Sequence, residues 1–319
     1  MSPEAVQPAS VVVVIPAYRA AGSIGAVVSR IPSSVSRIVV VDDASPDGLT
    51  EVLAGLGDPR LVVVRNAVNL GVGGAVKAGF TRALELGAEV VVKLDADGQM
   101  DPARIGELVG PILSGRADLT KGNRFRDLHR MSRMPFVRRT GNLALSYLVK
   151  VASGYWGLFD PTNGYVALSA DLVRRLPFEE LADRYFFEIS LLCEAYLSRA
   201  VVVEVPMPPI YGDEVSSLSP ARSLVEFLPR LVGRTFRRLA LSYFLYDFNA
   251  ISVFLATGLP LVLFGTSWSV HHWIRSVRTG VVATTGTVMI GTLSIILGFQ
   301  LLLQAVVLDV QNEPGHKRG

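Results

Sequence analysis

A single cysteine, Cys193, in 319 residues excludes an internal disulfide and a cysteine-built metal cluster, which suits a reducing cytoplasm. Its expected role is apolar packing. Histidine is nearly as scarce, and His129 is the only one before residue 220. Charge is thin as well: 18% of residues are charged, 50% are hydrophobic and the mean hydropathy is +0.40, too apolar a balance for an ordinary soluble enzyme. The net charge is only +3 despite a pI near 9.1, and the arginines crowd beside apolar runs, so membrane lipid accounts for them better than nucleic acid. The opening "MSPEAVQPAS" lacks a basic start and leads into a strand-like run ended by Pro16, so no signal peptide is expected. Internal repeats and low-complexity tracts are missing.

What the chain has in excess is apolar length. Phe248 to Val270 and Thr279 to Leu308 contain no Asp, Glu, Lys, Arg or His. About 20 apolar residues cross a bilayer core, so a transmembrane hairpin is expected, with a pair of buried core helices as the alternative. The connector His271 to Thr279 carries two arginines, whereas Arg222, Arg230, Arg234, Arg237 and Arg238 precede the first span. The positive-inside rule then keeps the N-terminal domain cytoplasmic, at a cell membrane, and an even number of spans returns the tail to the same side. Arginine alternates with Leu, Val and Phe before the span, as in a helix lying on an anionic membrane surface or in a solvated helix face. The expected parts are a catalytic domain over 1–220, a basic juxtamembrane helix over 221–247, a hairpin over 248–310 and a tail over 311–319.

Val11 to Ile15, Arg37 to Val41, Leu61 to Arg65 and Val90 to Leu94 are short valine-rich runs, several of them separated by helical lengths. Continuous apolar strands alternating with helices predict an α/β domain with a mostly parallel sheet buried on both faces. Helices are expected over Arg138 to Ala152 and through "DRYFFEISLLCEAYLS", with a short strand after "DPTNGY" and a last strand at Val201 to Val205. Ligands sit outside the carboxyl ends of such sheets, and "PAYRAAGS", "DDASPDG" and "DADGQMDP" all follow strand ends.

The aspartates of "VVKLDADGQMDP" fail as an EF-hand, because Gly98 falls fourth from Asp95, Met100 sixth and Gly106 twelfth. "GVGGAVKAG" fails as a dinucleotide fingerprint, since Val76 stands where the third glycine belongs. Its small residues suit a helix start packed closely against sheet or ligand, with Lys77 either touching a phosphate or solvated. Asp101 reads as a cap before Pro102. For Asp95, Asp97 and Gln99, alternate residues of an extended stretch, two readings remain. One is a divalent cation that takes its other ligands from water and phosphate; the other is a simple acidic turn.

The ordered series "VVIPAY", "VVDDASPDGL", "NLGVGGAVKAGF", "VVKLDADGQMDP", "KGNRF" and "RRTGN" resembles glycosyltransferase family 2 enzymes of the GT-A fold. It resembles in particular the polyprenyl-phosphate sugar synthases related to dolichol-phosphate mannose synthase. The likeness covers Val11 to about Ser219, and the hairpin matches members with two C-terminal spans. It implies a Rossmann-like sheet domain and a nucleotide-sugar donor. Pro16, Ala17 and Tyr18 would border the nucleoside, Asp43 the base, and Asp95 the ribose and metal. Asp97 and Gln99 would hold Mg²⁺ or Mn²⁺ on the donor diphosphate. Arg124, with Arg138 or Arg139 and Asn142, would face the acceptor phosphate, a task for which the planar guanidinium fork is suited.

Two departures stand out. Arg19 and Ala20 replace the family's usual Asn-Glu, and "YGDEVSSLS" offers Tyr211, Ser216 and Ser217 where relatives place a cation before Gly-x-Ser-Lys. The implied reaction is inverting transfer of a hexose from a UDP- or GDP-linked donor to polyprenyl phosphate at the cytoplasmic face. Two alternatives stand beside it. One is a GT-A enzyme with a hydroxyl acceptor, which needs a carboxylate base such as Glu188; the other is a non-catalytic, membrane-anchored nucleotide-sugar-binding protein. The sequence leaves the oligomeric state open, a homo-oligomer included.

Overall fold

The computed structural model describes residues 9–124, 136–207 and 220–315, without the side chains of 136–140, 142 and 220–225. Seven strands among these form one sheet in the order β3-β2-β1-β4-β6-β5-β7. They are β1 (Val11–Ala17), β2 (Arg37–Asp42), β3 (Leu61–Arg65), β4 (Val90–Lys93), β5 (Leu119–Asn123), β6 (Val166–Ser169) and β7 (Val202–Pro206). Neighbours pair in parallel, except that β6 runs antiparallel to both β4 and β5.

The unbroken apolar runs reflect burial on two faces. Alternate residues point to opposite sides, so Val12 and Val14 join one core and Val13 and Ile15 the other. Helices α1 (Ile24–Ser29), α2 (Leu49–Gly55) and α4 (Ile105–Leu113) contribute to the second core. The first is covered by α3 (Val72–Glu85), α5 (Phe136–Ser153), α6 (Ala170–Arg175) and α7 (Phe187–Leu197). A Cβ at Gly79 would lie 2.2 Å from Val14 Cγ1, so glycine lets α3 settle on the sheet.

The polar strand β5 escapes a reading by hydropathy. Thr120, Lys121 and Asn123 are all buried, yet each meets a partner. Thr120 Oγ1 donates to the Leu108 carbonyl at 2.6 Å, Lys121 Nζ to the Asn163 carbonyl, and Asn123 Nδ2 to Glu204 at 2.6 Å. Hydrogen bonding of this kind is what makes buried polar groups tolerable.

Helix α8 (Pro220–Ala240) begins in this unit. Its buried Phe227 packs edge-on against Phe186 at 5.4 Å between ring centres, and Arg234 pairs with Glu180 and Glu194. Leu228 and Val232 stay exposed, whereas Arg234 is docked by its two ion pairs.

Phe236–Glu313 forms a second compact unit. Its helices α9 (Ala250–Thr279) and α10 (Thr285–Gln311) are long and apolar enough to cross a membrane. Most of their surface is exposed side chain such as Leu263, Ile296 and Phe299, unlike a buried core pair. Asn249 and Ser252 make a capping box at the start of α9, and Thr284 caps α10. The run His271–Thr279, expected as the connector, is instead the last part of α9. Nothing there breaks a helix until Gly280, which ends it in the left-handed region at φ 67°.

Ile251, Gly258 and Gly265 recur every seven residues, as do Gly291, Gly298 and Ala305 on the returning helix. A Cβ at Gly258 would lie 3.0 Å from the Gly298 carbonyl oxygen, and one at Gly265 2.8 Å from that of Gly291. Missing side chains thus let the two backbones touch, the packing that lipid-embedded helices rely on. At one end of this seam Arg238 pairs with both oxygens of Asp309, at 2.7 and 3.0 Å, and the Tyr243 hydroxyl donates to the same carboxylate.

Candidate active site

The loops that follow β1, β2 and β4 gather at one sheet edge because these strands are adjacent and parallel. Pro16 and Ala17 are the buried last residues of β1, and Tyr18 emerges beyond them, 45% exposed. Arg19 follows at φ 54°, its guanidinium 5.5 Å from the centre of the Tyr18 ring, while its N–H donates to Ser45 Oγ at 2.7 Å. Ala44 sits at φ 54° too. Non-glycine residues in this region are strained, and such strain gathers at ligand clamps. Asp47 accepts from Ser45 Oγ and from the Ala21 N–H, which laces the two loops together.

Asp43 is buried. Its carboxylate accepts from Asn66 Nδ2 at 2.7 Å and from the Leu70 and Gly71 N–H groups at 2.9 and 2.8 Å. It therefore fastens the loop that opens α3. The glycines there make room for residues 182–183: the Gly73 and Gly74 N–H groups donate to the Asp183 carbonyl, and a Cβ at Gly73 would lie 2.0 Å from the Ala182 carbonyl oxygen. Lys77 pairs with Asp183 and donates to the Leu181 carbonyl, so it serves this loop rather than a phosphate or open solvent.

After β4, Gly98 at φ 75° turns the chain. Asp97 and Gln99 are exposed, and Asp97 Oδ1 accepts the Gln99 N–H at 2.9 Å. Asp101 caps the short helix at Pro102–Arg104 through the Ala103 N–H. No cluster of three His, Cys, Asp or Glu able to hold a metal occurs among the described residues. The exposed oxygens of Asp97 and Gln99 nevertheless fit a hard cation that draws most ligands from water and phosphate.

Asp95 is tied differently. Its Oδ1 lies 2.7 Å from Lys93 Nζ, which also reaches Glu188 Oε1 on α7 at 2.8 Å. Lys93 is 1% exposed. Burial by itself would push its ammonium down, but Asp95 and Glu188 outweigh that and hold it above the ordinary lysine range. Burial would likewise raise Glu188, but Lys93, together with Lys121 and a backbone hydrogen bond, more than offsets it, leaving this carboxyl below its ordinary value.

Behind them lies Lys121, also buried and pushed down to about 8 by desolvation. Between that value and the ordinary 10.5 the unfolded chain keeps a proton that the folded one has released, so stability should rise with pH across this window. Melting temperatures of the wild type and Lys121→Met at both ends of the window check this. The wild type is expected to gain on the variant as pH rises; a constant difference would speak against it.

On the other flank, the fully buried Asp160 holds Arg124 through Nε at 2.8 Å and Nη2 at 3.1 Å. Glu204 in turn accepts the Phe159 and Asp160 N–H groups, both at 2.7 Å. The side chains of Arg138, Arg139 and Asn142 lie outside the described residues, as do His129, Tyr211, Ser216 and Ser217.

Lys93, Lys121, Asp160 and Glu204 are given no role by the sequence motifs, yet all four are buried or half-buried around the site. A signal for Lys93 was present: lysine inside "VVVKL", a run buried on both faces, demands a buried partner.

Residues 12–176, more than half of the chain, match the profile of Glycosyl transferase family 2. UDP-N-acetylglucosamine–dolichyl-phosphate N-acetylglucosaminyltransferase of Methanococcus voltae is 29% identical over 215 residues, covering 63% of this chain and 85% of that protein. Undecaprenyl-phosphate mannosyltransferase of Micrococcus luteus is 32% identical over 202 residues, covering 62% and 82%. Among solved structures, glucosyl-3-phosphoglycerate synthase from Mycobacterium tuberculosis aligns with a TM-score of 0.50 at 21% identity, over 73% of this chain and 79% of that one. At that identity the likeness concerns the fold.

Proposed function

The chain belongs to glycosyl transferase family 2, and from that premise we propose that it transfers a hexose from a UDP- or GDP-linked donor to a polyprenyl phosphate at the cytoplasmic face of the cell membrane. The observation that carries this reading is the acceptor in the names of the two relatives. They differ in sugar, yet each acts on the phosphate of a long isoprenoid, and they align over 85% and 82% of their lengths. The helices α9 and α10 support it, because an acceptor anchored in a bilayer is met by an enzyme held there, which confines the encounter to a surface.

In this reading the acceptor phosphate oxygen attacks the anomeric carbon and the nucleoside diphosphate leaves with inversion. Asp97 and Gln99, with Asp95 beside them, would hold Mg²⁺ or Mn²⁺, which when bound neutralises charge on the departing diphosphate. Tyr18 borders the nucleoside beyond the buried Pro16 and Ala17, and Asp43 shapes the loop near the base. Arg124, oriented by Asp160, would face the acceptor phosphate together with Arg138, Arg139 and Asn142. A phosphate monoester is largely ionised at neutral pH, since its second pKa is about 6, so no strong base is required.

Glu188 fits that economy. A carboxylate paired with a buried lysine and held below its ordinary pKa is a weak proton acceptor. Glu188→Gln keeps an oxygen for Lys93 and is expected to retain kcat within a few-fold. A loss of activity on the order of 10²-fold or more would favour a hydroxyl acceptor with Glu188 as base.

The central test incubates the detergent-purified full chain with Mg²⁺ or Mn²⁺, UDP- and GDP-sugars and polyprenyl phosphate, then weighs the lipids by mass spectrometry. A gain of one sugar unit with at least one donor is expected. No gain with any donor would overturn the reading and leave the non-catalytic binding protein in its place.

A further inference from the structure

Within the ion triad below the strand ends, Lys93 has no part in the chemistry described above. Lys93 contacts Asp95 and Glu188 at 2.7 and 2.8 Å while almost fully buried. Gly164 bounds the same space: a Cβ there would lie 2.6 Å from Lys93 Nζ, 2.9 Å from Asp95 Oδ2 and 3.3 Å from Glu188 Oε1. Its φ lies outside the left-handed region, so the lack of a side chain serves space and not backbone conformation.

Stability alone is a poor reason for such a cluster. Apolar side chains of similar volume usually serve a core as well as, or better than, a buried ion triad. What ions add is direction. Lys93 stands two residues before Asp95, where β4 ends, and only Asp95 of the three reaches appreciably toward solvent: its side chain is 29% exposed, against 14% for Glu188. Glu188, held on α7, fixes the ammonium from behind, and Gly164 closes the side. Lys121 lies within electrostatic reach of Lys93 and Glu188 and is anchored to the Asn163 carbonyl, and Asp160, which holds Arg124, lies within reach of Lys121.

We propose that Lys93 is a positioning residue for the donor: its buried ammonium, braced by Glu188 and given room by Gly164, sets the Asp95 carboxylate in the orientation that the nucleotide diphosphate sugar meets. The inference rests on the donor site read above and is independent of which acceptor the enzyme uses.

The experiment titrates GDP and UDP, each with Mn²⁺, onto the full-length wild type and onto Lys93→Met, Glu188→Leu, the double variant and Gly164→Ala, and records a melting temperature for each. Lys93→Met is expected to melt lower, since Glu188 loses its partner, and to bind nucleotide about 10- to 100-fold more weakly, the usual effect of removing a partner that orients a binding group. The double variant should regain the melting temperature without regaining affinity. Glu188→Leu leaves Lys93 on Asp95, so it should bind more tightly than either Lys93 variant. Gly164→Ala changes no charge and should weaken binding through displacement alone.

Wild-type affinity in the double variant would overturn the proposal, because a purely structural role predicts that affinity returns with stability. If the wild type binds nucleotide but makes no lipid-linked sugar, the acceptor reading fails and the positioning role stands. If it binds neither nucleotide, the donor reading and the positioning role fall together.

Discussion

Asp97→Ala is expected to reduce sugar transfer by about 10²- to 10³-fold while the protein melts as the wild type does. The two halves of this expectation come from one observation. Asp97 is exposed in the loop after β4, where its side chain accepts the Gln99 N–H. Removing an exposed side chain of this kind typically changes stability by less than about 0.5 kcal/mol. Yet its carboxylate is the most accessible hard anion of the "DADGQ" loop, where a cation shared with the donor diphosphate would be held. Initial rates over a series of Mn²⁺ and Mg²⁺ concentrations, alongside a melting curve, separate the effects. Full activity in this variant would remove Asp97 from the site.

The largest expected effect on stability lies in the hairpin unit. Asp309→Ala leaves Arg238, 2% exposed, without the carboxylate that holds two of its nitrogens, and removes an acceptor of the Tyr243 hydroxyl. Removing one partner of a buried ion pair costs about 3–5 kcal/mol, because the remaining charge stays buried. Unfolding of the purified protein in detergent should therefore shift strongly. A combined Arg238→Met and Asp309→Leu change should restore most of the loss, since apolar groups of similar volume need no partner. An unchanged unfolding curve for Asp309→Ala would mean that water or lipid headgroups reach Arg238.

The strands β1 to β4 and the two apolar helices were legible because their signals are local. A valine run between turn residues, or some twenty residues without charge, declares itself in any context. The boundary of α9 was misplaced for a related reason: His271, Arg275 and Arg278 mark the end of an apolar span, but charge does not stop a helix, and Gly280 does. The strand β5 stayed hidden because Thr120, Lys121 and Asn123 find their partners at Leu108, Asn163 and Glu204, up to 81 residues away.

By itself, then, the sequence determined the α/β class, the apolar hairpin, the polar loops after β1, β2 and β4 and the Asp-x-Asp-x-Gln spacing after β4. These depend on periodicity, run length and turn chemistry, which act over a few residues. Only the tertiary structure decided that β6 reverses direction, that Asp43 and Lys77 serve neighbouring loops, and that Arg124 is held by Asp160. It also decided that Lys93 joins Asp95 to Glu188 across 95 residues beneath a glycine. A buried charge must find its counter-ion wherever the fold places one, and no local pattern records that address.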